Sequence, residues 1–293
     1  MDTLESASGI ESTRSATTAL EADEARGLYE LTPERWFSRL STDFTNRGRR
    51  VTYGALGLAF SRAWRPRRLV LLSHMRAGSS LLTQLIANNE AVDGYGELHL
   101  TYTEPRHLWG LNGKVIWVRK LARPRSAIVI DKILHDHLFS PQDLRRMNDV
   151  ETMFLVREPA ETLPSLVASF GLSQTDALDY FVLRLRTLAD FAESKPCGAA
   201  IALTYDDVIN RTDDSFSLVE EQLGLPTPLE DRYEPTHRGG DPSTNIRAGR
   251  ILRGRRLVRH VAPIDTAVLE RGRCAFDDTW AVLASRCVTL EHS

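Results

Sequence analysis

A cation, a glycine and two hydroxyls fall within five positions of the stretch His74-Met75-Arg76-Ala77-Gly78-Ser79-Ser80-Leu81-Leu82. An apolar run, Leu69 to Leu72, leads into it, and Leu81, Leu82, Leu85 and Ile86 leave it at helical spacing, which predicts a strand, a tight loop and a helix. Gly78 permits close backbone approach, and the amides from Ala77 to Ser80 lie at a helix start, where unpaired N–H groups and the helix dipole attract an anion. A phosphate group suits such a loop. The nucleotide-triphosphatase form G-x-x-x-x-G-K-[ST] is not met, because its first glycine and its lysine are both missing and Arg76 is the cation of the turn.

Further along the chain, residues of matching chemistry stand at the ends of apolar runs. Ser126 to Ile130 reads as a short buried strand ending in Asp131-Lys132. Ligands of open α/β sheets collect beyond the carboxyl ends of strands, which makes Lys132 a candidate. Lysine occurs only at 114, 120, 132 and 195 of an arginine-rich chain. The strand Glu151 to Val156 runs into Arg157-Glu158-Pro159, and Ser165 follows just behind Pro164. That proline can open a helical turn and so turn the amide and hydroxyl of Ser165 toward an anion. In Gly94-Tyr95-Gly96-Glu97-Leu98-His99 the two glycines mark a turn that lets a ligand come close to Glu97.

The elements that must position these groups alternate between strand and helix. The loop helix is expected to end near Asn88 and Asn89. Helices are expected over Thr103 to Leu121 and Ala177 to Phe191, and around Phe216, Leu218, Val219 and Leu223 up to Gly224. A fourth strand, Ala199 to Thr204, delivers Tyr205-Asp206-Asp207. The expected fold is α/β, a doubly wound and mainly parallel sheet flanked by helices. With 293 residues, 42% of them hydrophobic, residues 27–293 can form a single α/β domain. Residues 1–26, rich in Ser, Thr, Ala and Glu and without the apolar core of a secretory signal, read as a disordered tail. Thr32-Pro33 reads as a helix start.

Net charge of −2 and a pI near 6.5 give no global basic field, so nucleic acid is not an expected partner. Cys197, Cys274 and Cys287 have spacings that fit neither a zinc site nor a disulfide framework, which points to a reducing compartment. No metal site is expected. The run Val51 to Phe60, flanked by Arg49, Arg50, Arg62 and Arg65, is far shorter than the roughly 20 residues that span a bilayer. It reads as a helix packed on the domain, with peripheral membrane contact as the other use of such a segment. The arginines at 247, 250, 253, 255, 256 and 259 form either a solvated helix face or a segment that closes over a bound nucleotide.

At four separated places the chain resembles the sulfotransferases that use 3′-phosphoadenosine 5′-phosphosulfate (PAPS). The loop R-A-G-S-S-L-L is similar to their 5′-phosphosulfate loop. FLVREPAETLPS is similar to the element that holds the 3′-phosphate through its arginine and serine, here Arg157 and Ser165. LTYDDVINRTDDSFSLVEEQLGLP is similar to a largely structural Tyr-acid-acid segment, and GGDPSTN to the turn that closes over the nucleotide, which brings in Gly240. The resemblance covers about Leu69 to Arg256. It implies the P-loop-like fold, PAPS as sulfonate donor and adenosine 3′,5′-bisphosphate as product. Arg76 in place of the lysine found in many cytosolic small-molecule members is more like the carbohydrate-type and bacterial branches, and with no Golgi-type anchor a bacterial cytoplasmic enzyme is implied.

In such an enzyme Arg76, Lys132 and the amides from Ala77 to Ser80 would stabilise the departing phosphate. Glu97, in the region where glutamate-dependent members carry their base, would take the acceptor proton; His99, His135 and His137 are the alternatives. The acceptor would be a hydroxyl of a glycan, a glycolipid or a small molecule. A non-catalytic nucleotide-binding member and a small-molecule kinase are the competing functions. The absent lysine and the Arg157–Ser165 element both weigh against the kinase.

Overall fold

The computed structural model describes residues 52–60, 63–94, 98, 100, 102, 107–119, 125–136, 150–233, 249–251 and 263–290. Its described elements run α1 (52–60), β1 (Arg67–Ser73), α2 (Ser79–Ala87), β2 (Val92–Gly94), α3 (His107–Arg119), β3 (Ile128–Ile133), β4 (Val150–Val156), α4 (Pro159–Phe170), α5 (Gln174–Ser194), β5 (Ala200–Thr204), α6 (Tyr205–Asn210), α7 (Thr212–Leu223) and α8 (Thr266–Arg286). The strands form one parallel sheet in the order β2-β3-β1-β4-β5. From the central β1 the chain steps outward to β2, returns to β3, and then crosses over β1 to β4 and β5. The carboxyl ends of β1, β3 and β4 therefore meet where the winding reverses, which is where open α/β sheets bind ligands.

Strand period explains both layers. Val70 and Leu72 of β1 face a core with Leu111 and Val115 of α3, Leu163 of α4, Phe181 and Leu188 of α5 and Leu283 of α8. Leu69 and Leu71 face the opposite core, with Leu81, Leu82, Leu85 and Ile86 of α2 and Val219 of α7. Each such fully buried side chain contributes about 1.5–3 kcal/mol of burial free energy, so helices on both faces hold the sheet. The sheet is thus the doubly wound parallel one expected from the alternation of elements.

The run 52–60 is helical and packs on the domain, as expected. A Cβ on Gly57 would lie 2.1 Å from the carbonyl oxygen of Trp109, and one on Gly113 would lie 1.9 Å from that of Tyr53. The two glycines therefore let α1 and α3 touch backbone to backbone. Among the described residues no helix is long and apolar enough to cross a membrane.

Some expectations need correction. The sheet has five described strands, because Val92–Gly94 pairs with Ile128–Ile130; Gly94 is the last residue of that strand, and Tyr95 to Glu97, the rest of the expected turn, lie outside the described residues. At three residues this strand is too short to show a period. Asp131 and Lys132 lie within β3, which continues to Ile133, since pairing with Val70 to Leu72 extends it beyond the apolar run. Pro164 does not open a helix. The helix begins at Pro159, whose fixed φ suits the first helical position, and Pro164 sits inside it. Residues 266–286, for which no element was expected, form α8 against α4 and α5. The expected tail (1–26), the helix start at Thr32-Pro33, the GGDPSTN turn with Gly240, and most of the arginine-rich segment lie outside the described residues.

Candidate active site

The loop after β1 turns on two left-handed residues, Arg76 at φ 68° and Gly78 at φ 90°, the latter being the N-cap of α2. A left-handed arginine is uncommon and stays so only where its surroundings hold it. Both sides of the preceding residue are indeed held. The amide of Met75 donates to the Tyr180 hydroxyl at 2.8 Å, and its carbonyl lies 2.9 Å from Nδ1 of His74. Ser79 and Ser80 then start α2, with their amides among the first N–H groups, which have no intrahelical partner.

Three cationic side chains converge on this turn. Lys132, almost fully buried in β3, donates from Nζ to Ser80 Oγ at 2.6 Å. Arg76 donates from Nε to Ser165 Oγ at 2.8 Å. Arg157, directly after β4, donates from Nη1 to the Arg76 carbonyl at 3.2 Å and from Nε to Glu161 at 2.8 Å. The loop, Lys132, Arg157 and Ser165 thus form one cluster at the carboxyl edge of the sheet. Ser165 joins it through its hydroxyl, from inside α4, and not through a helix-start amide.

Glu97 and His99, the preferred base and its first alternative, lie outside the described residues, as does His137. Leu98 between them is described and its backbone is clamped. Its amide donates to Asp131 Oδ1 at 3.0 Å, and its carbonyl accepts from Lys114 Nζ. The Tyr102 hydroxyl donates to the other Asp131 oxygen at 2.6 Å. Burial, reinforced by that carboxylate, holds the Tyr102 pKa well above the usual phenol value. Asp131, next to Lys132, therefore ties Leu98 and Tyr102 to the strand that carries the lysine. His135 lies just past β3. Among the described residues no group of three or more His, Cys, Asp or Glu side chains is placed to hold a metal ion.

Three residues of the cluster had no role in the sequence reading. The Tyr205 ring lies under the Arg157 guanidinium, 4.0 Å from Cζ, and against Gly78, where an added Cβ would come within 2.4 Å of it. A capping box fixes this placement: Thr204 Oγ1 accepts from the Asp207 amide and Asp207 accepts from the Thr204 amide, so α6 starts at Tyr205 immediately after β5. The T-Y-D-D spelling carried that signal. Arg184 is 1% exposed and donates to the carbonyls of Ser73 and Ile133 at 2.9 and 2.8 Å and to the Asp136 carboxylate, fastening the ends of β1 and β3 together. Its position on the apolar face of α5, three residues after Phe181, was the clue available.

His74 is the third. It is fully buried, edge-on to Phe181, and its Nε2 lies 3.0 Å from the Arg157 amide nitrogen. An amide can only donate, so Nε2 holds the lone pair, and Nδ1 carries the proton that it gives to the Met75 carbonyl. Burial, with the charges of Arg184 and Arg157 adding to it, pushes the His74 pKa down to about 4 and keeps the ring neutral.

No protein-family model matches the chain, and no curated protein matches it. Among solved structures it is similar to a sulfotransferase domain from the curacin biosynthetic pathway, at 15% identity and a TM-score of 0.44 over 77% of this chain and 99% of that one. It is similar to the sulfotransferase domain of the Synechococcus PCC 7002 olefin synthase at 16% identity and a TM-score of 0.48, covering 78% and 96%. It is also similar to mouse sulfotransferase SULT7A1 complexed with PAP, at 15% identity and a TM-score of 0.40, covering 60% and 66%.

Proposed function

We propose that the chain is a bacterial, cytoplasmic sulfotransferase that moves a sulfonate from PAPS to a hydroxyl of a glycan, glycolipid or small molecule. The observation that carries this reading is the Arg76–Ser165 hydrogen bond, which joins a helix-start anion loop to the Arg157 element at one sheet edge. A nucleotide with phosphates at two separate positions needs two such elements side by side; a nucleotide with one phosphate chain needs only the first. The donor set fits PAPS in kind. Arg76, Lys132 and Arg157 with the hydroxyls of Ser79, Ser80 and Ser165 offer cations and hydrogen-bond donors to phosphates, and Glu161 is paired with Arg157. PAPS, when bound, supplies the activated sulfonate.

The roles of the chain's own residues follow from charge. The amides of Ser79 and Ser80, with Arg76 and Lys132, act as preorganised donors toward a phosphate group that gains negative charge. Lys132 is buried at the carboxyl side of β3, where its interaction with an anion is little screened. Arg157 and Ser165 hold the second phosphate, with the Tyr205 face supporting the Arg157 guanidinium. Glu97 takes the acceptor proton, and Asp131 sets the position of the neighbouring Leu98.

Calorimetry tests the reading. The protein should bind adenosine 3′,5′-bisphosphate far more tightly than AMP, and Arg157→Ala should remove roughly 10- to 150-fold of the affinity for the bisphosphate, as for loss of a charged hydrogen-bonding contact. Equal affinities for the two nucleotides would overturn it. Transfer from PAPS should survive EDTA; turnover of ATP that requires magnesium would establish the kinase instead.

A further inference from the structure

We propose that His74 is a positioning residue that transmits the conformation of the anion loop to Arg157, so that the two phosphate-binding elements are set as one unit. The inference rests on the PAPS reading for its nucleotide consequences and on geometry for the coupling itself. His74 uses one ring nitrogen on each element: Nδ1 gives its proton to the Met75 carbonyl in the loop, and Nε2 accepts the Arg157 amide at the end of β4. The ring is fully buried against Phe181 and cannot swing without opening the core. On the loop side, the bond to Met75 acts together with that from the Met75 amide to Tyr180 to hold Arg76 at φ 68°. On the strand side, the fixed amide sets where the Arg157 side chain leaves the backbone, and that side chain returns to the Arg76 carbonyl. The ring thus closes a circuit from His74 through Arg76 and Arg157 back to His74.

The two nitrogens can be separated by substitution. An asparagine amide reaches about as far as Nδ1 and a glutamine amide about as far as Nε2, so His74→Asn keeps a donor for the Met75 carbonyl while His74→Gln keeps an acceptor for the Arg157 amide. A first measurement needs no nucleotide. Hydrogen exchange at the Arg157 amide should quicken roughly tenfold or more in His74→Asn and stay near the parent rate in His74→Gln. A second measurement is the affinity ratio of adenosine 3′,5′-bisphosphate to AMP, which should fall about 3- to 10-fold in His74→Asn and recover in His74→Gln, a rescue that general loosening of the core would not give.

Unchanged exchange at Arg157 in His74→Asn, or an equal loss of selectivity in both variants, would overturn the coupling. If the parent protein shows no preference for the bisphosphate, the PAPS reading falls, while the exchange experiment still decides whether His74 holds Arg157. Should both variants fail to fold, His74→Phe, which preserves the aromatic contact and removes both hydrogen bonds, replaces them. A Phe variant that folds with parental exchange at Arg157 would equally overturn the proposal.

Discussion

Arg76 and Ser165, 89 positions apart in the chain, are joined by a 2.8 Å hydrogen bond from Nε to Oγ. The bond fixes one edge of the guanidinium from inside α4, and so makes the orientation of the loop cation depend on the element that follows β4. Ser165→Ala should weaken adenosine 3′,5′-bisphosphate binding about tenfold and AMP binding less, while Ser165→Thr, which retains a hydroxyl, should keep most of the affinity. Titration calorimetry checks both. An equal loss for the two nucleotides would mean that Ser165 acts only by steering Arg76 and does not meet the second phosphate itself.

Gly78 and Tyr205 make a steric prediction. An alanine at 78 would suffer both a left-handed backbone and a Cβ pressed to 2.4 Å from the tyrosine ring. Gly78→Ala should destabilise the fold by about 2–4 kcal/mol in urea unfolding. Adding Tyr205→Ala should return the steric part and leave the backbone part. Strict additivity of the two substitutions would show that the ring does not bear on the loop.

His74 predicts a pH dependence. Its folded pKa is lowered from 6.5 to about 4, so between those values the unfolded chain takes up a proton that the folded protein excludes. Its contribution is therefore intact above pH 6.5 and is lost as pH falls toward 4, by about 3 kcal/mol in all. The positive groups facing it, Arg157 and Arg184, act in the same direction as burial and disfavour the protonated ring. Urea midpoints at pH 7.5 and 4.5 for the parent and His74→Gln should show a steeper acid loss in the parent. Parallel profiles would rule the effect out.

Glu97 and Lys132 should leave different kinetic signatures. Glu97→Gln keeps shape but cannot take a proton, so turnover should fall about 10²- to 10⁴-fold with nucleotide affinity nearly unchanged. A phenolic acceptor of low pKa should partly rescue it. Lys132→Ala removes the ammonium beside Ser80 and should slow transfer to acidic and ordinary hydroxyls alike. Near-parental turnover in Glu97→Gln together with an inactive but folded His99→Ala would move the base to His99.

Much of this site is local in sequence and was legible there. A strand, a glycine and a helix start are properties of adjacent residues, so the loop from Arg76 to Ser80 and the place of Arg157 directly after a strand follow from periodicity and turn chemistry, whereas Lys132, expected past its strand, lies within it. The alternation of strands and helices along the chain likewise pointed to a doubly wound parallel sheet. The helix end at Asn88 and the stop at Gly224 were equally local. The resemblance of FLVREPAETLPS to a 3′-phosphate element named Ser165 but could not say how it is presented. The cue offered by Pro164 misled, because Pro159 had already started the helix.

What folding alone decided are the pairings between distant segments. Arg184 meets Ser73 across 111 positions and Ile133 across 51, and only the strand order, which brings the ends of β1 and β3 together, makes one arginine able to cap both. His74 finds the Arg157 amide across 83 positions for the same reason. The three-residue β2 exists because β3 offers it an edge, and the C-terminal α8 because α5 leaves an apolar face to cover. Propensity and spacing describe what a residue can do with its neighbours in the chain. Which carbonyl a buried arginine caps, and which tautomer a histidine keeps, is settled by the partners that packing supplies, since a buried polar group left without them costs about 1–3 kcal/mol.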